Sequence, residues 1–220
     1  LNAMSPRQTF YITTPIYYVN DKPHIGHAYT TIAADARARF ERLRGKDVFF
    51  LCGTDENSQK SFEAAARLGE NDLGKYLDRM SAVYARAWNS LAITNDDFIR
   101  TTEARHSQAV EKFWRSVAAS GDIYKGKYQG LYCVGCEAFK KESDLVNGLC
   151  PDHRRAPEEV VEENYFFRLT KYRGALLEWL KKNPEVIGPE ARRNEIERYI
   201  ADFMEDVSIS RKNAKCGIPV

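Results

Sequence analysis

The feature that most constrains the fold is a nearly continuous apolar run, "KDVFFLCG" at residues 46–53, which has the length of one strand. Strands that are covered on both faces of a parallel sheet read as continuous apolar runs rather than as alternating patterns. An earlier segment, "FYITTP" at residues 10–15, is β-branched and aromatic and ends at a proline, which is typical of a strand. Two such strands with a helix between them predict a parallel sheet.

Helical patterns lie between and after these strands. Apolar residues recur every three or four positions from His24 to Leu43, and Gly45 follows where a helix end is expected. This apolar stripe consists of Ile25, Tyr29, Ile32, Ala36, Phe40 and Leu43. Further helices are predicted near residues 59–68, 73–91 and 103–119, with a strand at 96–102. The order of strands and helices predicts an α/β fold with a doubly wound parallel sheet.

The pattern changes at Asp122. The segments "DIYKGKYQGLYC" and "NYFFRL" are short, aromatic and strand-like, and they are followed by predicted helices near residues 171–182 and 189–203 and by a strand, "EDVSISR". Residues of about 122–210 therefore predict a second module of α+β type, inserted into the first or following it.

Composition excludes several broad classes. The 220 residues are 43% hydrophobic and 29% charged, as in ordinary globular proteins, and the net charge of +2 offers no bulk attraction for nucleic acid. No apolar run has the length of a membrane span, and no charged-then-apolar leader precedes the first strand. Five cysteines are an odd number for a disulfide framework. These observations predict a cytoplasmic protein without a membrane partner.

Three cysteines and one histidine have the spacing of a metal site. Cys133-x2-Cys136 is followed, after thirteen residues, by Cys150-x2-His153. Thiolate and imidazole ligands suit Zn²⁺, and a full set of four protein ligands is typical of a structural site. A disulfide framework and four unrelated buried residues are the alternatives. The basic residues available to offset the thiolate charge are Lys140, Lys141, Arg154 and Arg155.

A histidine pair opens the first helix in the stretch "KPHIGHAYTT", residues 22–31. Three roles are open to His24 and His27: metal binding, phosphate binding and packing against the core. Gly26 in the first helical turn is unfavourable by about 1 kcal/mol relative to alanine, which suggests that something large approaches the backbone there. The opening of the first helix of a doubly wound sheet is where nucleotide phosphates bind. Phosphate binding is therefore the favoured interpretation.

The longer string "YITTPIYYVNDKPHIGHAYT" resembles the methionyl-tRNA synthetase family of class I aminoacyl-tRNA synthetases. The resemblance continues in order through "FLCGTDE", "GLCPDH" and "GIPV", and it covers residues 10–220. It implies a Rossmann-like catalytic domain whose first half is residues 5–121. It also implies an inserted connective-peptide domain with a zinc knuckle at residues 122–210, and a return towards the catalytic domain at 211–220.

The activity implied by the resemblance is the ligation of methionine to tRNA. ATP, with Mg²⁺, would activate methionine to methionyl-adenylate, and the methionyl group would pass to the initiator and elongator methionine tRNAs. His24 and His27 would be catalytic and, with Gly26, would bind ATP. The methionine-binding residues would be Ile16, Tyr18 and Asp55. Without the family, the alternative for Asp55 is a loop or helix-capping carboxylate, and the alternative for Tyr18 is a residue packed in the core. The oligomeric state is left open.

The sequence departs from the family pattern at three places. Asn57 and Ser58 follow "GTDE" where the family usually has histidine and glycine, and Cys216 stands where tryptophan is common. The second family signature, a loop that carries lysines, does not occur within the 220 residues. The expectation is therefore that this chain holds the front part of the enzyme and is inactive by itself.

Two other functions compete with this interpretation. One is a class I synthetase for a branched aliphatic amino acid or for cysteine. The other is a non-catalytic zinc module that binds RNA, for which aromatic and basic residues should alternate near the cysteines. Candidates for such a surface are Tyr124, Lys125, Lys127, Tyr128 and Tyr132. This second function would leave "HIGH" and "GTDE" without a purpose.

Overall fold

The structure, a computed structural model, describes residues 7–136, 138–140, 142–211 and 217–219. Its described residues divide into two compact units, residues 7–110 with 217–219 and residues 111–211. The segment that contains Cys216, and Lys141 beside the cysteines, lie outside the described residues. Among the residues described, no helix combines the length and hydropathy that a bilayer span requires.

The first unit is an α/β unit with a parallel sheet. In chain order its elements are β1 (Thr9–Thr13), β2 (Tyr17–Tyr18), α1 (Ile25–Leu43), β3 (Asp47–Asp55), α2 (Gln59–Arg67), α3 (Leu73–Ser90), β4 (Asp97–Arg100) and the start of α4 (Ala104–Ala119). Strand β3 pairs in parallel with β1, β2 and β4. The predicted strands and helices are confirmed within a few residues. The two-residue strand β2 was missed, because only two positions pair.

Helix α1 packs with its polar side inwards, contrary to the expectation from its apolar stripe. Thr31, Asp35, Ala38 and Glu41 are its buried residues, whereas Ile25 is 87% exposed and Leu43 is 88% exposed. The physical reason is that the buried carboxylates are partnered. Glu41 forms ion pairs with Arg37 at 2.6 Å and Lys46 at 2.9 Å, and Asp35 pairs with Arg39 at 2.6 Å.

A polar clasp, formed by Asp35, Arg39 and Arg42 with residues 92–96, fixes this orientation of α1. Asp35 Oδ1 accepts hydrogen bonds from the backbone N–H and the hydroxyl of Thr94, at 2.7 and 2.6 Å. Arg42 donates to Thr94 and to Asp96, and Arg39 donates to the carbonyl of residue 92. Charge-assisted hydrogen bonds of this kind are roughly twice as strong as neutral ones. The clasp therefore outweighs the apolar pattern.

Strand β3 is buried on both faces only in its second half. Cys52, Gly53 and Thr54 are buried in sequence, but Phe49 is 46% exposed and its ring lies 6.1 Å from the ring of Tyr11, which is 61% exposed. The expectation of a strand covered along its whole length is thus wrong for the first half. The core itself lies between the sheet and helix α3, whose buried side chains are Tyr76, Leu77, Met80, Ser81, Tyr84 and Trp88.

The second unit contains an antiparallel sheet and short helices. Its elements are β5 (Ile123–Cys133), β6 (Ala138–Lys140), β7 (Glu158–Phe167), α5 (Arg173–Lys182), α6 (Glu190–Arg198), which continues into a π turn at Tyr199–Phe203, and β8 (Val207–Ser208). The sheet order is β6-β5-β7-β8, and β5 pairs with β7 from Ile123↔Phe167 to Tyr132↔Glu158. Strand β6 was not predicted, and the predicted strand at 205–211 contains only two paired residues.

Asp122 is a buried carboxylate that joins the start of β5 to the segment before α5. Its side chain, 2% exposed, accepts from Lys171 at 2.5 Å, from the hydroxyl of Tyr172 at 2.6 Å and from Ser120 at 2.8 Å. The Lys171 ammonium and the two hydroxyls lower the pKa of Asp122 from 3.8 to about 2. The carboxyl group of Asp122 is therefore ionised in the folded protein at neutral pH.

We expect Asp122→Asn to lower the melting temperature by several degrees at neutral pH, because the amide cannot replace a charge-assisted acceptor. The folded-state pKa lies below the ordinary value, so the stabilisation is present above about pH 4 and is lost as the pH falls towards 2. Thermal melts of both proteins should therefore converge in acid. Asp202→Asn, at a carboxylate that is 56% exposed, is the matched control. An equal deficit in both variants would contradict the assignment.

Candidate functional site

The opening of helix α1 is closed by a reciprocal pair of hydrogen bonds between the two histidines. His24 is the N-cap residue, and its Nδ1 accepts the backbone N–H of Gly26 at 3.0 Å. In return, Nδ1 of His27 accepts the backbone N–H of His24 at 3.2 Å. This is a capping box in which imidazoles replace the usual hydroxyl and carboxylate. The rings stack with centroids 3.8 Å apart.

The capping box determines which ring nitrogen carries the proton. Both Nδ1 atoms act as acceptors, so the neutral rings of His24 and His27 carry their hydrogens on Nε2. Burial and the neighbouring His24 lower the pKa of His27. Each ring therefore presents its Nε2–H as a donor at the positive end of a helix dipole, which is an arrangement suited to an anion.

Gly26 is needed here for a reason that the sequence did not reveal. A Cβ atom at this position would lie 2.9 Å from Cε1 of His24. The absent side chain leaves room for the capping imidazole itself. The structure thus gives Gly26 a local role beside the His24 ring, and the approach of a phosphate to the backbone there stays a prediction.

An aromatic cluster lies beneath His27. The ring of Tyr17 is 4.6 Å from the His27 ring, and that of Tyr84 is 5.6 Å away in an edge-on arrangement. Trp88 packs against both tyrosines. The hydroxyl of Tyr17 lies 3.0 Å from the Thr31 hydroxyl. This cluster is buried, so His27 rests on a packed base whereas His24 is exposed.

The residues predicted to hold methionine meet where β2 and β3 end. Tyr18 is directly opposite Asp55 in the parallel register, and the side chains of Tyr18 and Ile16 are each 40% exposed. Asp55 accepts the backbone N–H of Asn57 at 3.0 Å. The carboxyl ends of parallel strands are the usual ligand-binding edge of such sheets. The geometry therefore gathers one carboxylate and two partly exposed apolar surfaces at this edge.

Gly53 allows a close approach at the same edge. A Cβ atom there would lie 2.3 Å from the carbonyl oxygen of Ile99 and 3.2 Å from Cγ2 of Ile16. No side chain fits between β3 and β4 at this point. The glycine thus lets Ile16 lie against the sheet, a role that its place in the apolar run did not reveal.

Glu56, next to Asp55, is a buried charged residue that sequence reasoning missed. Its carboxylate is inaccessible and accepts both Nε and Nη2 of Arg100, at 2.7 and 3.0 Å, as well as the hydroxyls of Thr102 and Thr54. Burial with a full set of donors makes this a strong structural pair. The only sequence signals were an acidic residue in "GTDE" and an arginine in "DDFIRTT", 44 positions apart.

Asn57 and Ser58, the two residues after "GTDE" that differ from the family pattern, both take part in local hydrogen bonds. Ser58 is 1% exposed and is the N-cap of α2, where its Oγ accepts the backbone N–H of Lys60 at 3.2 Å. Asn57 donates its backbone N–H to Asp55. Serine is among the preferred N-cap residues, so this replacement stabilises the helix start.

In the second unit, the predicted metal ligands lie together. One ligand atom from each of Cys133, Cys136, Cys150 and His153 falls within 4.8 Å of all the others. The Sγ atoms of Cys136 and Cys150 are 3.5 Å apart, and Nδ1 of His153 is 3.3 Å from Sγ of Cys136. Ligands at tetrahedral corners about 2.3 Å from a zinc ion would be separated by roughly 3.8 Å. The spacing matches a single ion, and the cysteines are free thiols rather than disulfides.

Charged neighbours surround this cysteine cluster. Asp152 Oδ2 lies 3.5 Å from Sγ of Cys136, and Lys140 Nζ lies 3.4 Å from Asp152. Contacts with Asp152 and with the Cys136 sulfur raise the pKa of Lys140, so its charge is firmly held near the thiols. Gly135 gives room for His153, because a Cβ there would lie 2.4 Å from the imidazole ring. Asp152 was not among the predicted residues.

Comparisons with known proteins agree with these motifs. The family model "tRNA synthetases class I (M)" matches residues 10–159 and 153–220. The chain is 47% identical to the methionine--tRNA ligase of Thermotoga maritima and 50% identical to that of Rickettsia conorii, over 96% of this chain and 34% and 42% of theirs. The chain thus spans between one third and about two fifths of the length of these relatives.

Solved structures show the same relationship. The methionyl-tRNA synthetase of Mycobacterium tuberculosis in complex with methionyl-adenylate matches with a TM-score of 0.91 and 43% identity, over 97% of this chain and 42% of that one. Its free form matches with a TM-score of 0.76 and 41% identity, over 97% and 41%. The chain has the class I synthetase fold and belongs to the family of class I tRNA synthetases for methionine.

Proposed function

We propose that this chain is part of a methionine--tRNA ligase. The protein would use ATP to convert methionine to methionyl-adenylate and then transfer the methionyl group to the initiator and elongator methionine tRNAs. The observation that carries the proposal is that the His27 ring of the capping box lies 4.6 Å from the ring of Tyr17, the residue beside the Tyr18–Asp55 pair, in a chain 43% identical to a synthetase solved with methionyl-adenylate. Because the chain covers only part of its relatives, this activity belongs to a protein of their full length.

His24, Gly26 and His27 are the proposed ATP-binding residues. The capping box leaves Nε2–H of each imidazole as its donor, and neutral donors of fixed orientation stabilise charge that develops on phosphate oxygens. In this role His24 and His27 are catalytic, because the negative charge on the phosphate grows as the methionine carboxylate attacks the α-phosphorus. ATP would bring Mg²⁺ with it, and the magnesium would neutralise charge on the triphosphate.

Ile16, Tyr18 and Asp55 are the proposed methionine-binding residues. The partly exposed side chains of Ile16 and Tyr18 offer apolar surface for the thioether side chain. Asp55 supplies a carboxylate for the ammonium group of methionine, and its bond from the Asn57 amide holds that carboxylate in place. The ammonium and the side chain of one amino acid thus find complementary chemistry at a single edge of the sheet.

Residues 122–210 are proposed to be a connective-peptide domain stabilised by a structural zinc ion. Cys133, Cys136, Cys150 and His153 would hold the ion, and they leave no coordination position for a substrate. Bound zinc would supply folding free energy to the loops on which the ligands lie. Residues 5–121 are the proposed first half of the catalytic domain, and residues 211–220 lead back towards it. Reduced, metal-binding thiols fit a cytoplasmic location.

A screen of the twenty amino acids for ATP–pyrophosphate exchange tests the activity. We expect the full-length protein to exchange faster with methionine than with any other amino acid, because the relatives of this chain are methionine--tRNA ligases and Ile16 and Tyr18 offer apolar surface for the side chain. Exchange with a branched aliphatic amino acid or cysteine would assign a different class I specificity. No exchange with any amino acid, together with RNA binding, would favour a non-catalytic zinc module instead.

Replacing His24 with alanine should slow methionine-dependent exchange by about 10²–10³, the usual loss for a preorganised donor to a transition state. The KM for methionine should change little. His24→Asp is the matched control, because aspartate retains an N-cap acceptor but has no N–H donor. If aspartate restores the rate, His24 acts only as a helix cap. The same loss is expected for His27→Ala.

Metal analysis of the protein, purified without chelator, should give one zinc per chain. Cys136→Ser should lower this stoichiometry and reduce the thermal stability of the second unit, since metal binding and local folding are coupled. Cys52→Ser is the control, because Cys52 is a buried free thiol outside the cluster. A wild-type protein without zinc, or equal metal loss in both variants, would refute the site.

A further inference from the structure

Two tyrosines of helix α3 direct their hydroxyls at backbone carbonyls at the end of β2 and in the segment that follows it. Tyr76 donates to the carbonyl oxygen of Val19 at 3.0 Å, and Tyr84 lies within 3.1 Å of the carbonyl oxygen of Tyr18 and 3.2 Å of that of Asp21. Both tyrosines are 1% exposed. The segment thus obtains its support from a helix 57 to 66 residues further along the chain.

Tyr84 differs from Tyr76 in what else it contacts. Its ring lies 5.6 Å from the His27 ring in an edge-on arrangement and 6.1 Å from the Tyr17 ring. Among the described residues, the ring of Tyr76 forms no ring contact with His24 or His27, whereas that of Tyr84 does. Only Tyr84 of this pair therefore reaches both the backbone of Tyr18 and the imidazole of His27.

The sheet alone holds Tyr18 weakly. Strand β2 pairs with β3 over only two positions, Tyr17↔Thr54 and Tyr18↔Asp55, and the chain leaves the strand immediately afterwards. This ladder is short, and the buried hydroxyl bonded to the carbonyl of Tyr18 adds a restraint at its end.

Simple packing accounts for the ring of Tyr84 but not for its hydroxyl. A phenylalanine would fill almost the same volume and would avoid placing a polar group in the core. Burial raises the pKa of Tyr84 to about 12, so the hydroxyl keeps its proton and remains a donor. The hydroxyl thus restrains the backbone carbonyls of Tyr18 and Asp21, whereas the ring contacts the imidazole of His27.

We propose that Tyr84 is a positioning residue for the reaction, whose hydroxyl sets the position of Tyr18 for methionine and whose ring supports His27 for ATP. This inference rests on the proposed function. The hydroxyl and the ring of Tyr84 have different roles, so substitutions that remove one or both can separate the two.

The test is methionine-dependent ATP–pyrophosphate exchange by the full-length protein, with kcat and both KM values measured. Tyr84→Phe removes only the hydroxyl, and we expect the KM for methionine to rise about five- to tenfold while kcat and the KM for ATP stay within about twofold. Tyr84→Leu also removes the ring and should lower kcat as well. Tyr76→Phe removes a hydroxyl of equal burial from the same helix and should leave all three values within about twofold.

The outcomes separate this inference from the proposed function. A wild-type protein that does not use methionine overturns both. An active wild type in which Tyr84→Phe leaves the KM for methionine unchanged, or in which Tyr76→Phe raises it equally, overturns the positioning role alone. Thermal melts of Tyr84→Phe and Tyr76→Phe show whether either substitution lowers the stability of the whole protein. The comparison of these two variants tests the positioning role even if Tyr84→Leu does not fold.

Discussion

The clasp between helix α1 and residues 92–96 is the interaction on which the arrangement of the first unit depends. Asp35 and Arg42 hold Thr94 from both sides, and this fixes the rotation of α1 about its axis. The same rotation brings His27, four residues before the buried Thr31, over the aromatic cluster. If the apolar stripe faced inwards instead, His27 would turn away from Tyr17. A set of charged hydrogen bonds remote from the site thus determines where the site's imidazole lies.

The sequence predicted the elements of the first unit well, because each has a local signal. These signals can be recognised from neighbouring residues alone; they are the apolar run of β3, the glycine after α1 and the alternation of strands with helices. The rotation of α1 was predicted wrongly. An apolar stripe indicates the buried face of a helix only when the polar face has no partners. Here Glu41 forms ion pairs with Arg37 and Lys46, and Asp35 accepts hydrogen bonds from Thr94, which is 59 positions away.

The same distinction between local and distant signals holds for the candidate site. The pair His24–His27 and the two cysteine pairs could be predicted, because the short spacing within each pair suggests a shared chemistry. Three contacts could not be predicted: that of Glu56 with Arg100, that of Asp152 with the Cys136 thiol and that of Tyr84 with His27. Their roles arise from contacts between elements, and neither periodicity nor composition encodes such contacts. The resemblance to a known family supplied the substrates, which the residues by themselves suggested only as an anion and an amine.

Strand β3 is paired with β1, β2 and β4 at once, and in the described part of the chain these three strands pair with no other. They cannot associate as a sheet before β3 is in place, so ordering of this strand should act as the cooperative step in folding. A slip of β3 by one residue would also turn its side chains to the opposite face and displace Asp55 from Tyr18. The strand therefore links the kinetics of assembly to the geometry of the substrate edge, and a chain that folds with the wrong register would be both less stable and unable to bind its ligand.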